Sequence, residues 1–313
     1  MIGLKHKSSN GLAESANALF DGNQHVNPGI LDSLDPIFNL SGLLIMATFR
    51  RVDYSVLDRP EVLMALFHPR PEAATMGGAG TGLDLLIPVE DDLRVGARFH
   101  IENNTCPNIL FFHGNGEIVS DYDDLGPMYN QLDINFIPVD YRGYGRSNGE
   151  PSVTGMIKDC HTILTFVRQW LQENGHSGPL IVMGRSLGSA SALELAWSRK
   201  TEIDALIIES GFALATPLLR LLGINVETIG FNEEMGFNNI DKIQSFEKPT
   251  LIIHAEYDHI IPFSDGQSLY DASSAPDKTL IRIPGANHND IFFRGLSEYM
   301  GGIQKLIERL AHA

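Results

Sequence analysis

The sequence predicts an α/β protein: a mostly parallel central sheet with helices on both faces and a short lid insertion. Three observations predict it. Short, wholly apolar runs such as Ile109–Phe112, Leu180–Met183 and Ala205–Ile208 show no polar face, as expected of strands buried on both sides. Between such runs lie segments with helical spacing of apolar residues, of which Ser152–Asn174 is the longest. The strict alternation of the two implies crossover connections between parallel strands.

The elements follow in order. Residues 1–82 read as an N-terminal arm and helical extension. Residues 1–30 are rich in Gly, Asn and Ser with weak periodicity, and Pro36–Phe49 is the longest uncharged apolar stretch. That stretch is too short to span a bilayer and is expected to pack as a helix on the body. The extension ends at the turn His68-Pro69-Arg70-Pro71, and Ala73–Gly82, with four glycines, reads as loop. From residue 83 to 313 the pattern is that of one α/β domain. Leu85–Val89 and Val95–Ile101 form an antiparallel pair across the acidic turn Glu90-Asp91-Asp92. Ile109–Phe112 is the third strand and Phe136–Val139 the fourth, with Pro138 expected near its end or at a bulge. In Ser152–Asn174, residues Met156, Cys160, Ile163, Leu164, Val167, Trp170 and Leu171 share one helical face, and Gly175 supplies the stop. Strand Leu180–Met183, helix Leu187–Ser198 and strand Ala205–Ile208 come next, then the insertion at about 211–247. Strand Leu251–His254, helix Asp265–Ala272, strand Leu280–Ile283 and helix Ile291–Leu310 complete the series.

Composition narrows the function. The 313 residues carry 39 acids against 23 bases, a net charge of −16, with no run of five like charges. Such a surface repels phosphate backbones and anionic lipid, so neither nucleic acid nor stable membrane insertion is expected. Two distant cysteines, Cys106 and Cys160, offer neither metal spacing nor a disulfide framework and read as free thiols in a reducing compartment. Met1–Phe20 lacks the apolar core of a secretory signal, so the expected compartment is the cytoplasm. The histidines show no H-E-x-x-H spacing, and no metal or cofactor is expected. Oligomeric state is left open.

Four motifs fall at the ends of strands, where open α/β sheets build their sites. Gly184-Arg185-Ser186-Leu187-Gly188 follows an apolar strand and precedes a helix of small residues, the context of a nucleophile elbow that exposes the Ser186 hydroxyl. His113-Gly114-Asn115-Gly116 follows another buried strand. Its glycines let backbone N–H groups approach a developing oxyanion, and the expected donors are the amides of Asn115 and Leu187. Asp258 lies in the loop after Leu251–His254, with Glu256 in the same loop and Glu209 at the preceding strand as rival acids. His288, in Ile283-Pro284-Gly285-Ala286-Asn287-His288, completes the order Ser, Asp, His, whereas its competitor His259 adjoins Asp258.

With these motifs and Asp140-Tyr141-Arg142-Gly143-Tyr144-Gly145, the chain from about Leu83 onward resembles the α/β-hydrolase superfamily. Within it the chain is similar to the Bem46-like and depalmitoylase-like serine hydrolases. The resemblance implies that Asp140–Gly145 is a structural loop beside the site with Arg142 paired to acids; it assigns no role to the N-terminal extension. The resulting expectation is a serine esterase, cleaving small-molecule carboxylic esters through Ser186, His288 and Asp258 by way of an acyl-enzyme. An acyl-thioesterase or protein depalmitoylase is the alternative, and a non-catalytic binding protein of the same fold the third. The insertion carries Phe212, Leu214, Leu218, Leu219, Leu221, Leu222, Ile224 and Val226, too apolar for a solvated loop. Phe212 and Leu218 are therefore candidate walls of a compact pocket.

Overall fold

The structure, a computed structural model, describes residues 52–73 and 82–311, together with the short strands Phe20–Asp21 and His25–Val26. The chain divides into two units at Arg51/Val52, and those two strands pair antiparallel within the first. The expected helix at Pro36–Phe49 lies outside the described residues, as does most of the Ala73–Gly82 loop.

In the second unit eight strands form one sheet: β1 (Leu83–Glu90), β2 (Leu93–Phe99), β3 (Asn108–Phe112), β4 (Asn135–Val139), β5 (Leu180–Arg185), β6 (Ala205–Glu209), β7 (Thr250–Ala255) and β8 (Lys278–Ile283). Their spatial order is β8-β7-β6-β5-β3-β4-β2-β1, parallel from β8 to β4 and antiparallel over β2 and β1. The apolar runs are two-sided for the expected reason. Leu110, Phe112, Val182, Leu206, Ile208 and Ile252 face one core, while Ile109, Phe111, Ile181, Met183, Ile207 and Ile253 face the other. Helices α3 (Val153–Glu173) and α4 (Gly188–Ser198) cover the first face; α2 (Leu125–Asn130) and α8 (Ile291–Ala311) cover the second.

Local chemistry sets the ends. The Ser152 hydroxyl accepts from the Gly155 N–H to cap α3, and Asp58 accepts from Val153 N–H at 2.7 Å. Gly175, at φ 75°, ends that helix with His176 N–H on the Leu171 carbonyl. Pro138 is the penultimate residue of β4, paired with Phe111 on the β3 side. On the β2 side, Phe136 exchanges bonds with His100 and Asp140 N–H donates to Gly96. The missing proline N–H falls between them, so one rung is absent and no bulge is needed.

Two boundaries differ from expectation. The compact unit begins at Val52, not at residue 83, because Tyr54, Leu57 and the α1 residues (Pro60–Leu66) Val62 and Leu66 are buried in the first core. Helix α8 is broken at Gly295, whose backbone leaves helical angles where any Cβ would stand 2.2 Å from Ile283 Cγ2. Among the described residues, no helix is long and apolar enough to cross a membrane.

The insertion after β6 is tied down. Helix α5 (Ala215–Leu221) has its first amides held by the Glu233 carboxylate, at 2.6 Å from Ala215 N and 3.0 Å from Thr216 N. Helix α6 (Asn239–Gln244) returns the chain, Asn239 donating to the Phe212 carbonyl and buried Lys242 pairing with Glu194 at 2.7 Å. Helix α7 (Phe263–Ala272) then sends Asp265 back to accept from Ala213 N–H.

Candidate active site

The elbow is built by close contacts that only glycine allows. A Cβ on Gly184 would lie 2.4 Å from the Gly188 carbonyl oxygen, and one on Gly188 would lie 2.1 Å from that of Phe112. Between them Ser186 sits at φ 49°, a left-handed conformation costly for a residue with a Cβ. Its N–H donates to the Glu209 carbonyl at 2.9 Å, so the last rung of the β5–β6 pairing holds the strained residue in place.

The structure brings Ser186, His288 and Asp258 together. His288 Nε2 is 3.0 Å from Ser186 Oγ, and His288 Nδ1 is 2.7 Å from Asp258 Oδ2. An ionised carboxylate only accepts, so Asp258 fixes the proton on Nδ1 and leaves Nε2 to accept from the serine hydroxyl. The other oxygen, Asp258 Oδ1, accepts from the amides of Ile260 at 3.0 Å and Ile261 at 2.8 Å. Burial alone would raise this carboxyl; the His288 bond and charge, with the two amides, hold it below its ordinary value. The loops of Asp258 and His288 are joined directly, through Tyr257 N–H to the Ala286 carbonyl and Gly285 N–H to the Glu256 carboxylate.

The rival residues are engaged elsewhere. Glu209 pairs with Arg185 and accepts from the Tyr299 hydroxyl at 2.7 Å, on the far face of the sheet. Glu256 braces the histidine turn, and His259 is exposed. Arg142 pairs with Asp159 and Glu90, as the family resemblance implies.

Asn115 lies at the tip of the β3 loop with its side chain already committed. Its Oδ1 accepts from the His68 N–H at 2.8 Å and the Tyr144 hydroxyl at 2.7 Å, and its Nδ2 meets His68 Nδ1 at 2.7 Å. Among the described residues, no protein acceptor takes the amide of Asn115 or of Leu187. Arg70 adds a second tie, from Nε to the Gly116 carbonyl at 2.7 Å, while its guanidinium pairs with Asp121. His68 and Arg70 come from the extension, to which the family resemblance assigns no role. Their turn was visible, but no local signal links it to a loop more than forty residues away.

The candidate wall residues have different surroundings. Phe212 is buried in the first core with its ring edge-on to Phe237 at 5.3 Å, and Leu218 is half-buried on α5. Leu214 and Leu221 of the same insertion are exposed.

The chain is similar to known proteins in sequence and in fold. A family model described as serine aminopeptidase, S33 (Hydrolase_4) matches residues 103–230. Alpha/beta hydrolase domain-containing protein 17B of Homo sapiens is 30% identical over 218 residues, covering 66% of this chain and 68% of that protein. YfhR of Escherichia coli K12 is 30% identical over 192 residues, 61% of this chain and 66% of that protein. The chain thus spans about two thirds of the length of these curated relatives. Among solved structures, the Pyrococcus furiosus esterase Pf2001 superimposes with a TM-score of 0.62 at 18% identity, over 77% of this chain and 99% of that one.

Proposed function

The chain belongs to the α/β-hydrolase family of serine hydrolases, and from that premise we propose that it is a cofactor-independent esterase acting on small carboxylic esters. The observation that carries this reading is the relay from Asp258 through His288 to Ser186, at 2.7 and 3.0 Å, ending on a serine held at positive φ. Ser186 Oγ attacks the acyl carbon while His288 Nε2 takes its proton, and Asp258 stabilises the imidazolium. The amides of Asn115 and Leu187 receive the oxyanion. As the tetrahedral adduct collapses, His288 returns the proton to the leaving alkoxide and the acyl group stays on Ser186. Water, deprotonated by His288, then releases the acid and regenerates the serine.

The insertion, tied down by Glu233, Lys242 and Asp265, supports a compact acyl pocket with half-buried Leu218 as its proposed wall, whereas Phe212 is packed into the first core against Phe237. Two buried, unpaired cysteines support placement in the cytoplasm. The deciding experiment is a series of p-nitrophenyl esters and acyl thioesters of increasing chain length, assayed on wild type and Ser186→Ala. Highest kcat/KM on short to medium oxyesters, abolished by the substitution, is expected. Best turnover of long-chain thioesters would replace this reading with a depalmitoylase-like one. Absence of both turnover and fluorophosphonate labelling in wild type would leave a binding protein.

A further inference from the structure

Arg185, the variable residue before the nucleophile, turns away from the substrate side onto the α2/α8 face, and its side chain is buried. Each of its three nitrogens donates a bond. Nε donates to Glu117 Oε1 at 2.8 Å, Nη1 to Glu209 Oε1 at 2.7 Å, and Nη2 to the main-chain carbonyl of His288 at 3.0 Å. Each acceptor continues into a different catalytic loop. Glu117 Oε2 accepts from Gly114 N–H at 2.7 Å, beside Asn115, and from the Tyr122 hydroxyl at 2.6 Å. The backbone carbonyl of Glu209 accepts the N–H of Ser186, while its carboxylate is steadied by Tyr299. The third acceptor is the carbonyl of the catalytic histidine itself.

We propose that Arg185 is a positioning residue, a buried guanidinium that sets the nucleophile elbow, the Asn115 loop and His288 at one mutual distance. The inference rests on the esterase reading above. The guanidinium spreads its three bonds over three separate nitrogens in one plane; a lysine ammonium has its three donors on a single nitrogen, which can pair with one carboxylate but does not span to the His288 carbonyl as well. Burial opposes the charge on Arg185, yet the two carboxylates hold the guanidinium protonated far above any working pH. A cavity of about 270 Å³ lies against it, lined by Glu117, Tyr122, Glu209, Asn289 and Tyr299 among others. The room behind the fork is therefore large enough for a small planar cation.

That geometry supplies the test. In Arg185→Lys, kcat for p-nitrophenyl acetate should fall about 10- to 100-fold, the cost of a slightly misplaced catalytic group. KM should stay within about threefold and melting within a few degrees of wild type, since one ion pair survives. In Arg185→Ala, added guanidinium at tens of millimolar should restore kcat at least about tenfold, whereas sodium chloride at equal ionic strength should not, because only guanidinium reproduces the fork. Arg185→Lys retaining kcat within about threefold of wild type would overturn the positioning role, as would a loss expressed wholly in KM. If Arg185→Ala fails to fold, the lysine variant decides alone. A wild type without Ser186-dependent turnover would overturn the esterase reading with it, whereas an active wild type with a fully active lysine variant overturns only the role of Arg185.

Discussion

The sharpest consequence of the relay concerns the tautomer of His288, and Asp258→Asn addresses it. In the native site Asp258 Oδ1 accepts two backbone N–H groups, from Ile260 and Ile261, while Oδ2 faces His288 Nδ1. An asparagine has one oxygen and one NH₂ to place. Putting the NH₂ against two amides would set donor against donor twice, so the oxygen must stay there and the NH₂ must face the histidine. His288 then accepts at Nδ1 and carries its proton on Nε2, where it can no longer take one from Ser186. Geometry is kept and the base is lost. Removal of the base function by this route costs about 10⁴ in kcat, or about 5 kcal/mol of transition-state stabilisation. Steady-state hydrolysis of p-nitrophenyl acetate at neutral pH measures it, with circular dichroism as the control for folding. A kcat within about tenfold of wild type would refute the tautomer argument.

Three other perturbations follow from the same site. Ser186→Ala and Ser186→Gly should both abolish turnover, but the glycine variant should melt about 2–4 °C higher, because relief of a left-handed φ is worth about 1 kcal/mol; equal melting in differential scanning calorimetry would remove the strain from the account. Asn115→Pro should cost kcat about a hundredfold or more by deleting the amide, while Asn115→Ala, which loses only the ties to His68 and Tyr144, should cost about tenfold or less; equal losses would show that the side chain is the donor. The Glu117 carboxyl would be raised by burial, but Arg185 and Tyr122 bring it down to about 2 from its ordinary 4.5. A carboxyl lowered on folding stabilises the protein fully above its unfolded pKa, so this contribution, on the order of a few kcal/mol, holds above about pH 5 and drains away as pH falls toward 2. Melting curves over that range should fall less steeply for Glu117→Gln than for wild type, and parallel curves would contradict the assignment.

Much of this was legible in the sequence because the signals are local. The wholly apolar runs around Leu110, Val182 and Ile252 mark strands with two buried faces, and the strand–Gly–x–Ser–x–Gly–helix context marks the elbow. Chain order sufficed to choose Asp258 over Glu209. What was not legible depends on side chains meeting across the fold. Arg185 occupies the variable position of its motif, and nothing in its neighbourhood predicts a bond to the His288 carbonyl. The place of residues 52–73 in the body was hidden similarly. Helix α1 has seven residues, and its contribution lies in Val62 and Leu66 reaching a core assembled from the rest of the chain. Gly295 did offer a local signal for the break in α8, but helical periodicity on both sides outweighs one glycine when only the pattern is read.

The turn at His68–Arg70 also bears on the order in which the molecule can be assembled. It leaves the ribosome before any strand of the sheet, yet its partners on the β3 loop come 46 and 47 residues later and Tyr144 76 residues later. Contacts of such separation carry a closure entropy that is recovered only once the intervening chain has condensed. Strands β3 to β8 can nucleate through crossovers that never involve this turn. The turn is therefore made early and seated late, and the Asn115 loop would remain unbraced through collapse of the sheet. On the esterase reading proposed above, turnover would return on refolding no earlier than the sheet itself forms, because the Asn115 loop is braced only through these long-range contacts.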